Sequence, residues 1–73
     1  MKEKILEICK EVNDSIDYSS DKLVEDGFMD SVTLVEIASD IMDAFDIDLP
    51  YEEIVPENFN SLDSMVKLVE KYV

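Results

Sequence analysis

Ile5, Ile8, Cys9 and Val12 stand three and four positions apart, so a helix over about residues 2 to 12 gathers them on one face. Lys2, Glu3, Lys4, Glu7, Lys10 and Glu11 then fall to water. Beyond Val12 the period fails. Turn-forming residues cluster in NDSIDYSSD, and the stretch from Asn13 to Asp30 is predicted to be a long connection pinned by Ile16, Tyr18, Leu23 and Phe28. A loop of that length in a small domain is often functional.

Helical spacing resumes at Asp30 or Ser31 and runs to about Asp46 with no proline or glycine inside it. At about 100° per residue, Leu34, Ile37, Ala38, Ile41 and Phe45 share one side, with Val35 and Met42 on its shoulder. Glu36, Asp40 and Asp43 project the other way, and Val32 projects among them beside Ser39, a poor place for a core residue. Leu49-Pro50 breaks the pattern, and PENF from Pro56 predicts one short helical turn anchored by Phe59. A last helix follows a cap at Asn60 or Ser61, with Asp63 near its positive end and an apolar face of Leu62, Met65, Val66, Val69, Tyr72 and Val73. No segment alternates with a period of two. The expected fold is all-α, a small bundle of three main helices plus one short helix, as one domain over residues 1–73.

Charge narrows the choice of partner. Nineteen acidic residues against six basic ones give a net charge of −13, which repels nucleic acid and anionic membrane surfaces and attracts basic protein surfaces. The N-terminal MKEKILEICKEV is too charged for a signal peptide or a stable membrane insertion. A single cysteine forms no internal disulfide, which for so small a domain points to a reducing cytoplasm and makes Cys9 a small core residue.

Histidine is absent, so the usual base for activating a serine is missing, and one cysteine without histidine builds no ordinary transition-metal site. The acidic segment DIDLPYEEIVPE imitates a calcium loop at three positions but has Tyr51 where the sharp turn needs glycine and Pro50 at a ligand position. No metal ligand is assigned. Self-contained nucleophilic catalysis is not expected, and the chain reads as a non-enzyme.

The pair Asp-Ser occurs at Ser15, Ser31 and Ser64. Ser15 lies at the end of the first helix or just after it, and Ser64 projects onto a solvated face of the last one. Ser31 alone stands where the long loop meets a long helix, just after the only glycine, Gly27. An ordinary role for it is the helix N-cap. A helix start also favours a negatively charged group, so a phosphate ester on this hydroxyl suits the position.

LVEDGFMDSVTLVEIASDIMDAFDIDLPYEEI, followed by SLDSMVKLVEKYV, resembles the acyl carrier proteins over essentially the whole chain. The wording around DGFMDS is closer to stand-alone carriers such as D-alanyl carrier proteins than to typical fatty-acid carriers. The resemblance implies that Ser31 bears a covalent 4′-phosphopantetheine arm, donated by coenzyme A through a separate phosphopantetheinyl transferase. The arm holds acyl or aminoacyl groups as thioesters for fatty-acid synthesis or a specialised pathway. It implies further that Asp30, Val32, Val35, Glu36, Asp40 and Asp43 form a face recognised by the transferase and by acyl-activating enzymes, synthases or acyltransferases with basic docking patches. Val32 stands where the family usually has leucine or methionine. The implied protein acts as a monomer. The competing expectation is an unmodified acidic interaction module that uses the same face and has no need of Ser31.

Overall fold

The computed structural model describes all 73 residues, Met1 to Val73. Its elements are α1 (Lys2–Val12), α2 (Ser31–Phe45), a 3-10 turn (Tyr51–Glu53), α3 (Pro56–Phe59) and α4 (Leu62–Glu70), with no strand. This is the all-α bundle of three main helices and one short one that the spacing predicts.

Helix α1 lies against both α2 and α4, and α3 packs on α4. The core they enclose includes Ile5, Ile8 and Cys9 of α1, Leu34, Ile37, Ala38 and Ile41 of α2, and Phe59 of α3. Leu62, Met65, Leu68 and Val69 of α4 complete it. The Cys9 thiol sits 3.8 Å from the Met65 thioether, and burial pushes its pKa up to about 12.

The connection from 13 to 30 is irregular but tied down. Tyr18 is buried, and its hydroxyl donates to the main-chain carbonyls of Cys9, at 2.8 Å, and Asn13. The Asn13 carbonyl lies just past α1, and the Cys9 carbonyl also accepts the Asn13 amide at 2.9 Å, so Tyr18 ties the loop to the capped end of the helix. Leu23 is fully buried and Ile16 packs at the core margin, as expected. Phe28 does not pin the loop: it is 51 % exposed, and its neighbour Met29 is buried instead. No period exists in such a segment to tell which of two adjacent apolar residues points inward.

At α4 one of the two expected caps is taken, and two further expectations change. The cap is Ser61, whose hydroxyl accepts the Ser64 amide at 3.0 Å, while Asn60 serves elsewhere. Ser64 is not simply solvated, since its hydroxyl is 3.0 Å from that of Ser61 and partly buried. The buried stripe is rotated toward Leu68, by on the order of 40° at 100° per residue. Val66 is left at the core margin, and Val73 is exposed beyond the end of the helix. Tyr72, also past the helix, donates its hydroxyl to Glu53 at 2.9 Å and, with Lys71 at 3.2 Å, fastens the C-terminus to the 3-10 turn.

Candidate functional site

Helix α2 begins with Asp30 as N-cap in extended conformation, and its carboxylate Oδ1 accepts the Thr33 amide at 2.8 Å. The Asp30 carbonyl accepts the first intrahelical bond, from Leu34, at 2.9 Å. Ser31 is therefore the first helical residue and not the cap, which corrects the ordinary reading of this serine. Aspartate is at least as good a cap as serine, and the residue one position earlier has the extended backbone a cap requires. Released from capping, the Ser31 hydroxyl makes no hydrogen bond within the protein and lies at an exposed helix start. The backbone amide of Thr33 holds the Asp30 carboxyl below its usual range. The helix start thus carries a carboxylate throughout the neutral range.

The segment that delivers Ser31 is a closed turn. Asp26 donates its amide to the Lys22 carbonyl at 2.8 Å, Gly27 to Val24 at 3.1 Å, and Met29 to Leu23 at 2.9 Å. Gly27 adopts φ +82°, which a side chain would resist, so the only glycine in the chain is placed where the turn reverses. The buried Met29 then fixes the chain two residues before Ser31.

Behind this turn lies Asn60, which the sequence offered only as one of two caps for α4. Asn60, 9 % exposed, accepts the amides of Val24 at 3.0 Å and Glu25 at 3.1 Å through its side-chain Oδ1. Its carbonyl accepts the Leu23 amide at 2.8 Å. An asparagine just before a serine reads locally as a cap, and nothing in the local pattern signals a partner more than thirty positions away.

On the outer face of α2, Val32 is 65 % and Val35 56 % exposed, and Glu36 is exposed beside them. Asp40 and Asp43 are also exposed and line the shallow groove that α2 forms with Lys4, Glu7 and Glu11 of α1. Asp30 and Phe28 extend the exposed surface past Ser31, Phe28 being an apolar member that sequence reasoning placed in the core. No lysine or arginine occurs between Ser31 and Val66. Surface valines amid uncompensated carboxylates suit a partner that brings apolar contacts and positive charge together. A larger concavity, of about 730 Å³, lies between α1, the loop and the start of α4, lined by Leu6, Ile16, Tyr18 and Leu62 but not by Ser31.

No cluster of three or more His, Cys, Asp or Glu side chains is placed to hold a metal ion, and no helix is long and apolar enough to cross a membrane. What the site offers chemically is one accessible primary alcohol at a helix start. A phosphodiester there lies at the start of α2 beside the Asp30 carboxylate, and the exposed position leaves room for a covalently attached phosphate-bearing group.

The family model described as a phosphopantetheine attachment site matches residues 1–69. The D-alanyl carrier protein of Leuconostoc mesenteroides is 31 % identical over 75 residues, an alignment covering 100 % of this chain and 96 % of that one. That of Lactococcus lactis is 30 % identical over 74 residues, covering 97 % and 94 %. No solved structure matches.

Proposed function

Since the chain belongs to the phosphopantetheine-attachment family, whose members carry a covalent 4′-phosphopantetheine, we propose that Ser31 is the attachment point and that residues 1–73 act as one carrier domain. The observation that carries the reading is the division of labour between Asp30 and Ser31: the aspartate caps α2, and the serine hydroxyl is left free and exposed. The bound arm supplies a thiol that holds the cargo as a thioester. The protein contributes the address, and a phosphopantetheinyl transferase and client enzymes contribute the chemistry. Carrier proteins of this family meet both kinds of partner, and here Asp30, Val32, Val35, Glu36, Asp40 and Asp43 form the face those partners engage.

For the cargo, the relatives named as D-alanyl carrier proteins support a small aminoacyl group, D-alanine, over a fatty acyl chain. The chain itself is not an enzyme and works in the cytoplasm, where coenzyme A and ATP-dependent activation are at hand.

Intact-mass measurement tests the reading. Incubation with coenzyme A, Mg²⁺ and a broad-specificity phosphopantetheinyl transferase adds one arm to the wild type and to Ser15→Ala and Ser64→Ala, and none to Ser31→Ala. An unchanged wild-type mass would return the chain to an unmodified acidic interaction module. Modification persisting in Ser31→Ala would move the site. With the arm in place, a D-alanine-activating ligase and ATP load D-alanine; loading by a fatty acyl ligase alone would reassign the cargo.

A further inference from the structure

We infer that Asn60 is a positioning residue for Ser31: it holds the turn that presents this hydroxyl to the modifying transferase. The inference rests on Ser31 being the attachment point. Three consecutive amides, of Leu23, Val24 and Glu25, converge on Asn60, the first on its carbonyl at 2.8 Å and the other two on Oδ1 at 3.0 and 3.1 Å. These amides open the turn whose last bond, Met29 to Leu23, precedes Ser31 by two residues.

Asn60 is itself immobilised. Phe59 before it is fully buried, and Ser61 after it caps α4. The path from the α3–α4 junction to Ser31 therefore passes through the carbonyl and side-chain oxygens of Asn60 and one closed turn. The hydrogen bonds of Tyr18 act on the end of α1, so within residues 22–29 the side-chain oxygen of Asn60 works beside the buried Leu23 and Met29. The requirement is chemical as well as geometric. Only an acceptor serves two main-chain N–H groups, and losing Oδ1 of the buried Asn60 leaves the amides of the half-buried Val24 and the exposed Glu25 without their partner. The turn then has reason to leave its native register, and Met29 and Ser31 move with it. Since all of the docking face but Asp30 is built on the helix beyond Ser31, docking is largely preserved while orientation of the hydroxyl is not.

The test compares phosphopantetheinyl transfer to the full chain in wild type, Asn60→Ala and Asn60→Asp, with rates from intact mass and fold from circular dichroism. Aspartate keeps an acceptor at the same reach. Asn60→Ala is expected to lower kcat about tenfold with KM within about twofold, because misorienting a reacting group costs rate more than binding. Asn60→Asp restores kcat to within about twofold of wild type, a rescue that simple loss of packing would not give. Amide hydrogen exchange at Val24, Glu25 and Met29 speeds in the alanine variant and not in the aspartate one.

A folded Asn60→Ala chain with fast exchange at those amides and wild-type kcat overturns the inference. A rise in KM alone does so too. If Asn60→Ala is unfolded, Asn60→Ser, which keeps a shorter acceptor, takes its place, and unfolding of both makes Asn60 a residue of the fold and overturns the assignment. A wild type that accepts no arm defeats instead the proposal that Ser31 is an attachment point.

Discussion

Asp30 accepts the amide of Thr33 at 2.8 Å across Ser31 and Val32, so Ser31 begins α2 without serving as its cap. Two polar residues side by side thereby take separate duties. The first satisfies the helix start and adds negative charge there, where the macrodipole favours it. The second keeps its oxygen for another bond.

Replacing Asp30 with alanine should destabilise the fold in a pH-dependent way. The Thr33 amide lowers the folded-state pKa of Asp30, so its contribution is fully present above the unfolded value, near 4, and is lost as pH falls through the folded value. Denaturant titrations of wild type and Asp30→Ala should show a constant gap near neutrality that closes in acid. A gap that widens below about pH 4 would contradict the cap. Asp30→Asn, which keeps an acceptor, should lose little stability at neutral pH.

Backbone strain makes opposite predictions at two positions. Gly27 has φ +82° with nothing within 4 Å of an added Cβ, so Gly27→Ala costs about 1 kcal/mol through the backbone alone. Asp46, the C-cap of α2, has φ +54° and places a carboxylate at the negative helix end, so Asp46→Gly should stabilise by about 1 kcal/mol. Thermal melts check both, because about 1 kcal/mol moves the midpoint of a domain this small by about 4–8 °C.

Charge reversal on α2 should weaken partner binding in a salt-dependent manner. Glu36 and Asp40 are exposed on a stretch that holds no basic residue, so Glu36→Lys with Asp40→Lys should slow association with a basic transferase at low salt. The difference from wild type should shrink as ionic strength rises. Equal transfer kinetics at low salt would remove these residues from the docking face.

The helices were legible because each carries an apolar stripe with the helical period, and α1 follows the pattern to its ends. Where a stripe is broad, its rotation is set by what it packs against, and so Leu68 entered the core while Val66 stayed at its margin. In the aperiodic loop the exchange of Phe28 for Met29 had no sequence signal at all. At the site, the Asp-Ser pair and its loop-to-helix setting were visible, but which of the two capped α2 depends on a single pair of backbone angles. Asn60 was hidden for a different reason: its partners are main-chain amides, which every residue but proline provides.

Cys9 sets the sulfur stoichiometry of the loaded molecule. It is the only cysteine in the chain, it is buried against Met65, and its pKa of about 12 leaves almost no thiolate near neutrality. Exchange of a thioester onto another sulfur needs an accessible thiolate, so cargo held on the arm has no rival thiolate within its own carrier. Each folded holo molecule then presents a single titratable thiol to a thiol reagent, and the fraction that fails to react reads directly as the fraction charged.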